Sequence, residues 1–380
     1  MGKFVRIAGL VTGLLLPGIA IAAGDAVAAK GTPAQLLVAL PDDCNTPDGM
    51  SLQPDGSIIL SVPNFNDEKS PPRLMRITPD NKAEVFYKFP TPYPGYDAPI
   101  NRIAPMGVSR AASGDLYLAD MQYMKDKNQK SRMWRLVVKD GKVDKMILVA
   151  TGFNVANGTA IRGDCVYITE SVLEEGYNPT MKSAVLRFKL DEENVTLKTP
   201  LKDDPHVIAT FESHKQEWAF GADGIAFDSK GNLFVGLFSD GLLFKLELDA
   251  KGDVKSNKLF AQAPFWKNCD GMSCDTRTDK LYVADSANNA IQVISPDGSV
   301  ATFSQNGEVK DKKKGKLSQP CEALVRGNTV VVSNMNWPFP GFVATTWEMP
   351  ATLSVIPLSA ASPSPARKAL LPLRKRLQRP

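Results

Sequence analysis

One pattern recurs six times along the chain, and it limits the possible folds more than any single residue does. Each copy opens on one residue, polar or acidic in five of the six. Gly follows in five of the six, then alternating apolar residues, a turn, and a strongly β-prone stretch. The copies open at Asp48-Gly49, Met106-Gly107, Asn157-Gly158, Asp223-Gly224, Asp270-Gly271 and Glu322-Ala323. They lead to the β-prone stretches at 58–61, 116–120, 166–170, 233–236, 281–285 and 330–334. Turn signals such as Pro54-Asp55-Gly56, Ser113-Gly114 and Lys230-Gly231-Asn232 separate the halves. Further strand-like segments follow at 73–77, 132–138, 184–190, 242–248 and 290–294, and a fourth at 85–89, 146–150 and 207–211. Repeats of roughly 50 residues holding four short strands are the signature of propeller blades. The repeat predicts an all-β, six-bladed β-propeller over residues 33–358, with four antiparallel strands per blade. The last copy has one clear further strand, 352–357, so Gln35 to Leu40 is predicted to be its outermost strand and to close the ring.

The two ends read differently from the repeats. Lys3 and Arg6 precede an apolar stretch from Ile7 to Ala22 and small residues at Ala22 to Gly24. That is the order of a secretory signal, assigned to residues 1–23, with an uncleaved anchor as the competing reading. Export places the mature protein in a periplasm or outside the cell. No later segment approaches the apolar length of a membrane span. Residues 359–380 are rich in Ser, Pro and basic residues and are predicted to be disordered. That tail carries six of the positive charges behind the net charge of +4, so the body is close to neutral and asks for no nucleic-acid partner. The protein is expected to act as a monomer on a small molecule.

The opening residue of each repeat should begin an innermost strand beside the central channel. Reading round the ring gives Asp48, Met106, Asn157, Asp223, Asp270 and Glu322. Four carboxylates converging on one axis repel unless protonated or neutralised. A hard divalent cation solves this, and calcium takes six to eight oxygen ligands. Asp48, Asn157, Asp223, Asp270 and Glu322 are therefore the predicted metal ligands. A turn is the plain alternative for any single Asp-Gly, but three of these share a register that opens a strand. Asp120, Glu170, Asp285 and Asn334 end the second strands, where they either border the same mouth or cap a strand end. His206 begins an apolar strand and reads as structural, whereas His214 could overhang the entrance as a proton-transfer group.

Five cysteines leave at least one thiol unpaired in a monomer. Cys44 and Cys321 each precede an innermost strand in blades that become neighbours on closure, so a disulfide between them is predicted, with Cys269–Cys321 as the alternative.

The motifs Asp48-Gly49-Met50, Asn157-Gly158, Asp223-Gly224-Ile225-Ala226-Phe227-Asp228 and Leu281-Tyr282-Val283-Ala284-Asp285-Ser286 resemble the gluconolactonase/regucalcin-like family, and more distantly paraoxonases and strictosidine-synthase-like proteins. The likeness spans about Gln35 to Leu358. It implies a metal-dependent hydrolase of lactones or related small esters, with Asn157 and Asp223 in two of the family's ligand positions. Asp48 stands where the family has a Glu one methylene longer, and Glu322 from the adjacent blade supplies that reach. The family's Glu-Gly-Pro opening is absent here. On this reading the cation polarises a carbonyl, Asp223 helps to hold it, and Asp270 or Asp120 accepts a proton from water. The alternative is a non-catalytic propeller in which a structural calcium ties the blades while the loops bind a ligand or protein. A strictosidine-synthase-like reaction is a third reading, for which no dedicated acid is evident.

Overall fold

The structure is a computed structural model that describes residues 30–174, 176, 179–307, 314–337 and 339–358. The assigned signal segment 1–23 and tail 359–380 lie outside the described residues. Six antiparallel sheets stand round one axis. Blade one is β3 (Met50–Leu52), β4 (Ile58–Val62), β5 (Arg73–Ile77) and β6 (Ala83–Lys88). Blade two is β7 (Pro105–Arg110), β8 (Leu116–Asp120), β9 (Ser131–Lys139) and β10 (Lys142–Phe153). Blade three is β11 (Ala156–Arg162), β12 (Cys165–Glu174), β13 (Met181–Lys189) and β15 (Val207–Ser213). Blade four runs β16 (Ala222–Phe227), β17 (Leu233–Leu237), β18 (Leu242–Leu248) and β19 (Val254–Gln262). Blade five is β20 (Met272–Asp275), β21 (Lys280–Asp285), β22 (Ala290–Ile294) and β23 (Val300–Gln305). The last blade takes β24 (Pro320–Arg326), β25 (Thr329–Asn334) and β26 (Thr352–Pro357) from the end of the chain and β2 (Gln35–Ala39) from its start.

β2 pairs antiparallel with β26, Gln35 opposite Val355 and Ala39 opposite Thr352, so the N-terminal strand covers an edge that would otherwise be open. Two further strands were not foreseen. β1 (Lys30–Gly31) adds to β23 of blade five, and β14 (Val195–Thr196) adds parallel to β10 of blade two. Neither has alternating apolar residues, because each lies on an outer edge and buries almost nothing. Among the described residues no helix is long and apolar enough to cross a membrane.

The core lies between blades rather than within them. One apolar cluster fills each of the six interfaces, for example Ile59 and Leu74 of blade one against Leu118 and Trp134 of blade two. At the closing interface Met50, Ile58 and Met75 meet Val331 and Leu353. This explains why the second strands read as uninterrupted apolar runs: both of their faces are covered.

The Gly that follows five of the six opening residues is needed for close approach of neighbouring blades. A Cβ on Gly224 would stand 2.1 Å from the carbonyl oxygen of Asp270 in the next blade. On Gly158 it would stand 2.4 Å from that of Asp223. Side-chain-free backbone is what lets each inner strand lie against the opening residue of the next.

No disulfide forms: Cys44, Cys165, Cys269, Cys274 and Cys321 are all free thiols. The predicted Cys44–Cys321 bridge, like the alternative Cys269–Cys321, does not form, because the thiols of Cys44 and Cys321 turn to different surroundings. Cys321 does reach blade one, but its thiol lies 3.1 Å from the carbonyl oxygen of Pro47. Cys44 turns into the core of its own blade, its sulfur 3.9 Å from that of Met75.

Candidate active site on the central axis

Five of the six predicted ring residues line one cavity, and Met106 lies in the chamber beside it. A cavity of about 250 Å³ is lined by Asp48, Asn157, Asp223, Asp270 and Glu322 with the glycines beside them. Hydroxyls on the second strands fix the ring backbone. Thr169 Oγ1 donates to the carbonyl of Asp223 (2.8 Å) and Ser333 Oγ to that of Asp48 (2.8 Å), each reaching across to the next blade. Ser171 Oγ donates to the carbonyl of Ala222 (2.7 Å).

The ring side chains are tied only in part. Asn157 Nδ2 donates to Asp223 Oδ2 at 2.8 Å. Asp270 Oδ1 accepts from the amide of Gly271, and its Oδ2 lies 2.6 Å from Ser286 Oγ. Glu322 Oε1 accepts from the amide of Ala323. Asp48 Oδ2 is buried with no partner. Asp48 and Asp223 are 7% and 6% exposed, while Asn157, Asp270 and Glu322 are half-buried.

Burial pushes the carboxyls of Asp48, Asp223 and Glu322 well above the usual range, and mutual repulsion adds to it. Asp223 feels Asp270, Asp48 and Glu322 together, against the opposing hydrogen bond from Asn157. Asp270 is raised to about 7 by burial, opposed by its bonds to Ser286 and Gly271. The ring is thus an acid-rich site that favours either protons or a positive ion. Its donors are all hard oxygens, and an orphaned carboxylate oxygen is among them, so the donor chemistry fits a hard divalent cation. Among the described residues no group of three or more His, Cys, Asp or Glu is drawn together closely enough to hold one.

Asp120 is placed elsewhere. It is 0% exposed and both of its oxygens are engaged. Oδ1 accepts from the Ala104 amide and Gln122 Nε2, and Oδ2 from Arg132 Nε (2.7 Å) and Trp134 Nε1 (2.9 Å). Its fellow residues at the second-strand ends act in the same way. Glu170 accepts from the amides of Asn154 and Val155, Asp285 from those of Lys267 and Asn268, and Asn334 Oδ1 from that of Ser318. Two residues fill this role without having been foreseen. Asn64 accepts from the Asn45 amide, and Asp240 from those of His214 and Lys215. Each blade therefore has one buried acid or amide that caps the backbone entering its inner strand. Burial raises Glu170 to about 7 and Asp285 to about 6. A sequence signal exists for the set, since it lies near the end of every second strand, but spacing alone does not distinguish caps from a second catalytic ring.

The histidines stand away from the axis. His206 stacks on Phe188 with centroids 4.3 Å apart and bonds to Asp204 and Glu192, a structural role as expected. His214 is exposed and lines a separate outer cavity beside Asp240 and Trp266, not the channel entrance.

The sequence missed what lies over the ring on the face where the inner strands begin. A second chamber there shares Asp48, Asn157, Asp223 and Asp270 as its floor and has walls of methionine and aromatic residues. The residues immediately after the second strands supply much of it, including Met121, Phe238 and Met335.

No protein-family model and no curated protein matches this sequence. Solved structures do match in fold. A gluconolactonase from Xanthomonas campestris, XC5397, is 12% identical with a TM-score of 0.54, over 89% of this chain and 99% of that one. A calcium-binding protein, regucalcin, from Agrobacterium tumefaciens is 12% identical with a TM-score of 0.56, over 86% and 94%. Luciferin-regenerating enzyme is 11% identical with a TM-score of 0.57, over 87% and 96%. At these identities the likeness is one of fold, and the fold is the six-bladed propeller to which the repeat residues pointed.

Proposed function

We propose that this protein is an exported, divalent-cation-dependent hydrolase of a lactone or related small ester. The observation that carries the proposal is the ring itself: four carboxylates and one amide lining one cavity, with a buried carboxylate oxygen unpartnered. Its fold neighbours include a gluconolactonase and a calcium-binding regucalcin, which favours the same reading. Asp48, Asn157, Asp223 and Glu322 would have to draw closer together to hold the cation, and calcium suits their oxygen donors best. When bound, the ion would polarise the substrate carbonyl and stabilise the charge that develops on its oxygen.

The remaining chemistry belongs to the chain. Asp270 lines both chambers, so water or substrate can reach its carboxylate from either side. It takes a proton as water oxygen bonds to the carbonyl carbon, then returns that proton to the leaving oxygen as the ester C–O bond breaks. Asp223 also orients Asn157, whose amide nitrogen it accepts. The test is a panel of small lactones and esters assayed with calcium and with chelator. Calcium-dependent hydrolysis that is lost in Asp223→Ala supports the proposal. One equivalent of calcium bound at unchanged affinity by that variant would place the ion elsewhere. Calcium binding with no hydrolysis of any substrate would favour the non-catalytic propeller.

A further inference from the structure

The chamber above the ring has the wrong chemistry for a ligand covered in hydroxyls. Its walls include Met106, Met121, Met335, Phe220, Phe238 and Trp337, and its floor is the acid ring. A hydroxylated sugar lactone brings several donors and acceptors that need partners once water is excluded, and each left unpaired costs binding energy. Above the floor, the polar side-chain groups among these lining residues are the amide of Gln319 and the indole N–H of Trp337. Gln319 is 3% exposed, and its Oε1 has no hydrogen-bond partner. Its backbone is held at φ 52°, with its amide bonded to Asn289 Oδ1 and its carbonyl to the Met335 amide. The backbone is thus held in place, and it carries an unpartnered side-chain oxygen in a largely apolar wall.

The aromatic residues extend the wall outward as a connected belt. Trp337 stacks on Phe65 at 5.0 Å and meets Phe339 at 5.1 Å. Phe339 touches Phe342 at 5.5 Å, and Phe342 lies 6.5 Å from Phe238, which contacts Phe220 at 6.1 Å. The enclosed space is small, about 70 Å³, but methionine walls can reshape around an entering group.

We propose that this chamber binds the apolar substituent of the substrate, so that the preferred substrates are lactones or esters carrying a short alkyl or aryl group rather than hydroxyls, with Gln319 as the polar anchor. This rests on the hydrolase reading above in placing the ester carbonyl at the ring, while the apolar binding itself is measurable without turnover. The chemistry of the walls separates the two substrate types: each methylene buried strengthens binding about fourfold, whereas each hydroxyl would have to give up water for methionine and phenylalanine.

The experiment uses δ-lactams, which keep the carbonyl but resist hydrolysis, titrated calorimetrically into the whole protein in calcium. Three are compared: the unsubstituted ring, a 6-butyl derivative, and a polyhydroxylated sugar lactam. The butyl lactam should bind at least tenfold more tightly than the unsubstituted ring, and the sugar lactam no better than it. Met106→Gln and Met335→Gln keep side-chain length while making the wall polar, and each should weaken the butyl lactam by about tenfold without weakening the unsubstituted one. Should one variant fail to fold, the other and the unmodified comparison still decide. Tighter binding of the sugar lactam than of the butyl lactam would overturn the inference. Binding of the butyl lactam by a protein that hydrolyses no lactone would support the chamber and refute the hydrolase reading alone.

Discussion

Replacing Asp270 by Asn should make the cation-free protein more stable at alkaline pH, although it removes a residue of the proposed machinery. Ser286 Oγ has one proton and two acceptors at 2.6 Å, Asp270 Oδ2 and the carbonyl of Pro320. A neutral carboxyl at 270 resolves the competition by donating to Ser286, which then donates to Pro320. The amide of Asn donates in the same place, so Asp270→Asn imitates the protonated acid. Burial raises Asp270 from 3.8 to about 7. Because the folded value is the higher one, the site is fully accommodated below pH 3.8, and that stability is lost as pH rises through about 7. At about 1.4 kcal/mol per unit, the loss at pH 8 has an upper bound of about 4 kcal/mol, and channel water lowers it. The expected gain for the variant is about 2–4 kcal/mol at pH 8 in chelator, shrinking to a few tenths near pH 4. Urea unfolding at the two pH values, followed by tryptophan fluorescence, reads it as a shift in midpoint at constant slope. Calcium should narrow the difference at pH 8, since a cation held by the neighbouring ring residues offsets the charge that Asp270 carries in the parent. Equal midpoints for parent and variant at pH 8 in chelator would show that the ring is not strained by its buried charge.

Three further outcomes follow from the same structure. Gly224→Ala should cost several kcal/mol in a thermal melt, because its Cβ would meet the Asp270 carbonyl at 2.1 Å and backbone cannot yield cheaply. A melt unchanged within error would contradict the close blade contact. Asp120→Ala should destabilise by about 3–5 kcal/mol, since it strands the fully buried Arg132, and a loss of activity without a loss of stability would instead put Asp120 in the chemistry. Deleting residues through Leu40 removes β2 and uncovers β26, so the shortened protein should unfold at lower urea or aggregate, and retention of the parent midpoint would refute ring closure by that strand.

The repeat made the architecture legible because close packing leaves its mark on sequence. Gly158 and Gly224 are conspicuous for a steric reason, and the second strands are largely apolar because blades cover both faces. The ring was legible for the same reason, as its residues stand one position before those glycines. Asp120 was harder to place, since a buried cap and a catalytic carboxylate have the same identity and a similar register. What separates them is the partner set, Ala104, Gln122, Arg132 and Trp134, which comes from three places in the chain. The apolar chamber left still less trace. Met121, Phe238 and Met335 each look like one more apolar residue at a strand end, and only their convergence gives them a shared meaning. The misplaced disulfide shows the limit of blade adjacency, which fixes neighbours but not the register at which they touch.

The six buried caps divide the molecule into parts that can change separately. Each cap fastens the entering backbone to its own second strand, and in blades two and six the very next residue lines the mouth, Met121 after Asp120 and Met335 after Asn334. The anchor and the ligand-facing position are thus adjacent in sequence yet point to different tasks. A substitution at 121 or 335 alters what the mouth recognises while the fastening beside it holds the strand ends in place. Such a layout lets one axial acid ring serve a succession of mouths, so that new ligand preferences can arise by single replacements without the propeller having to be rebuilt.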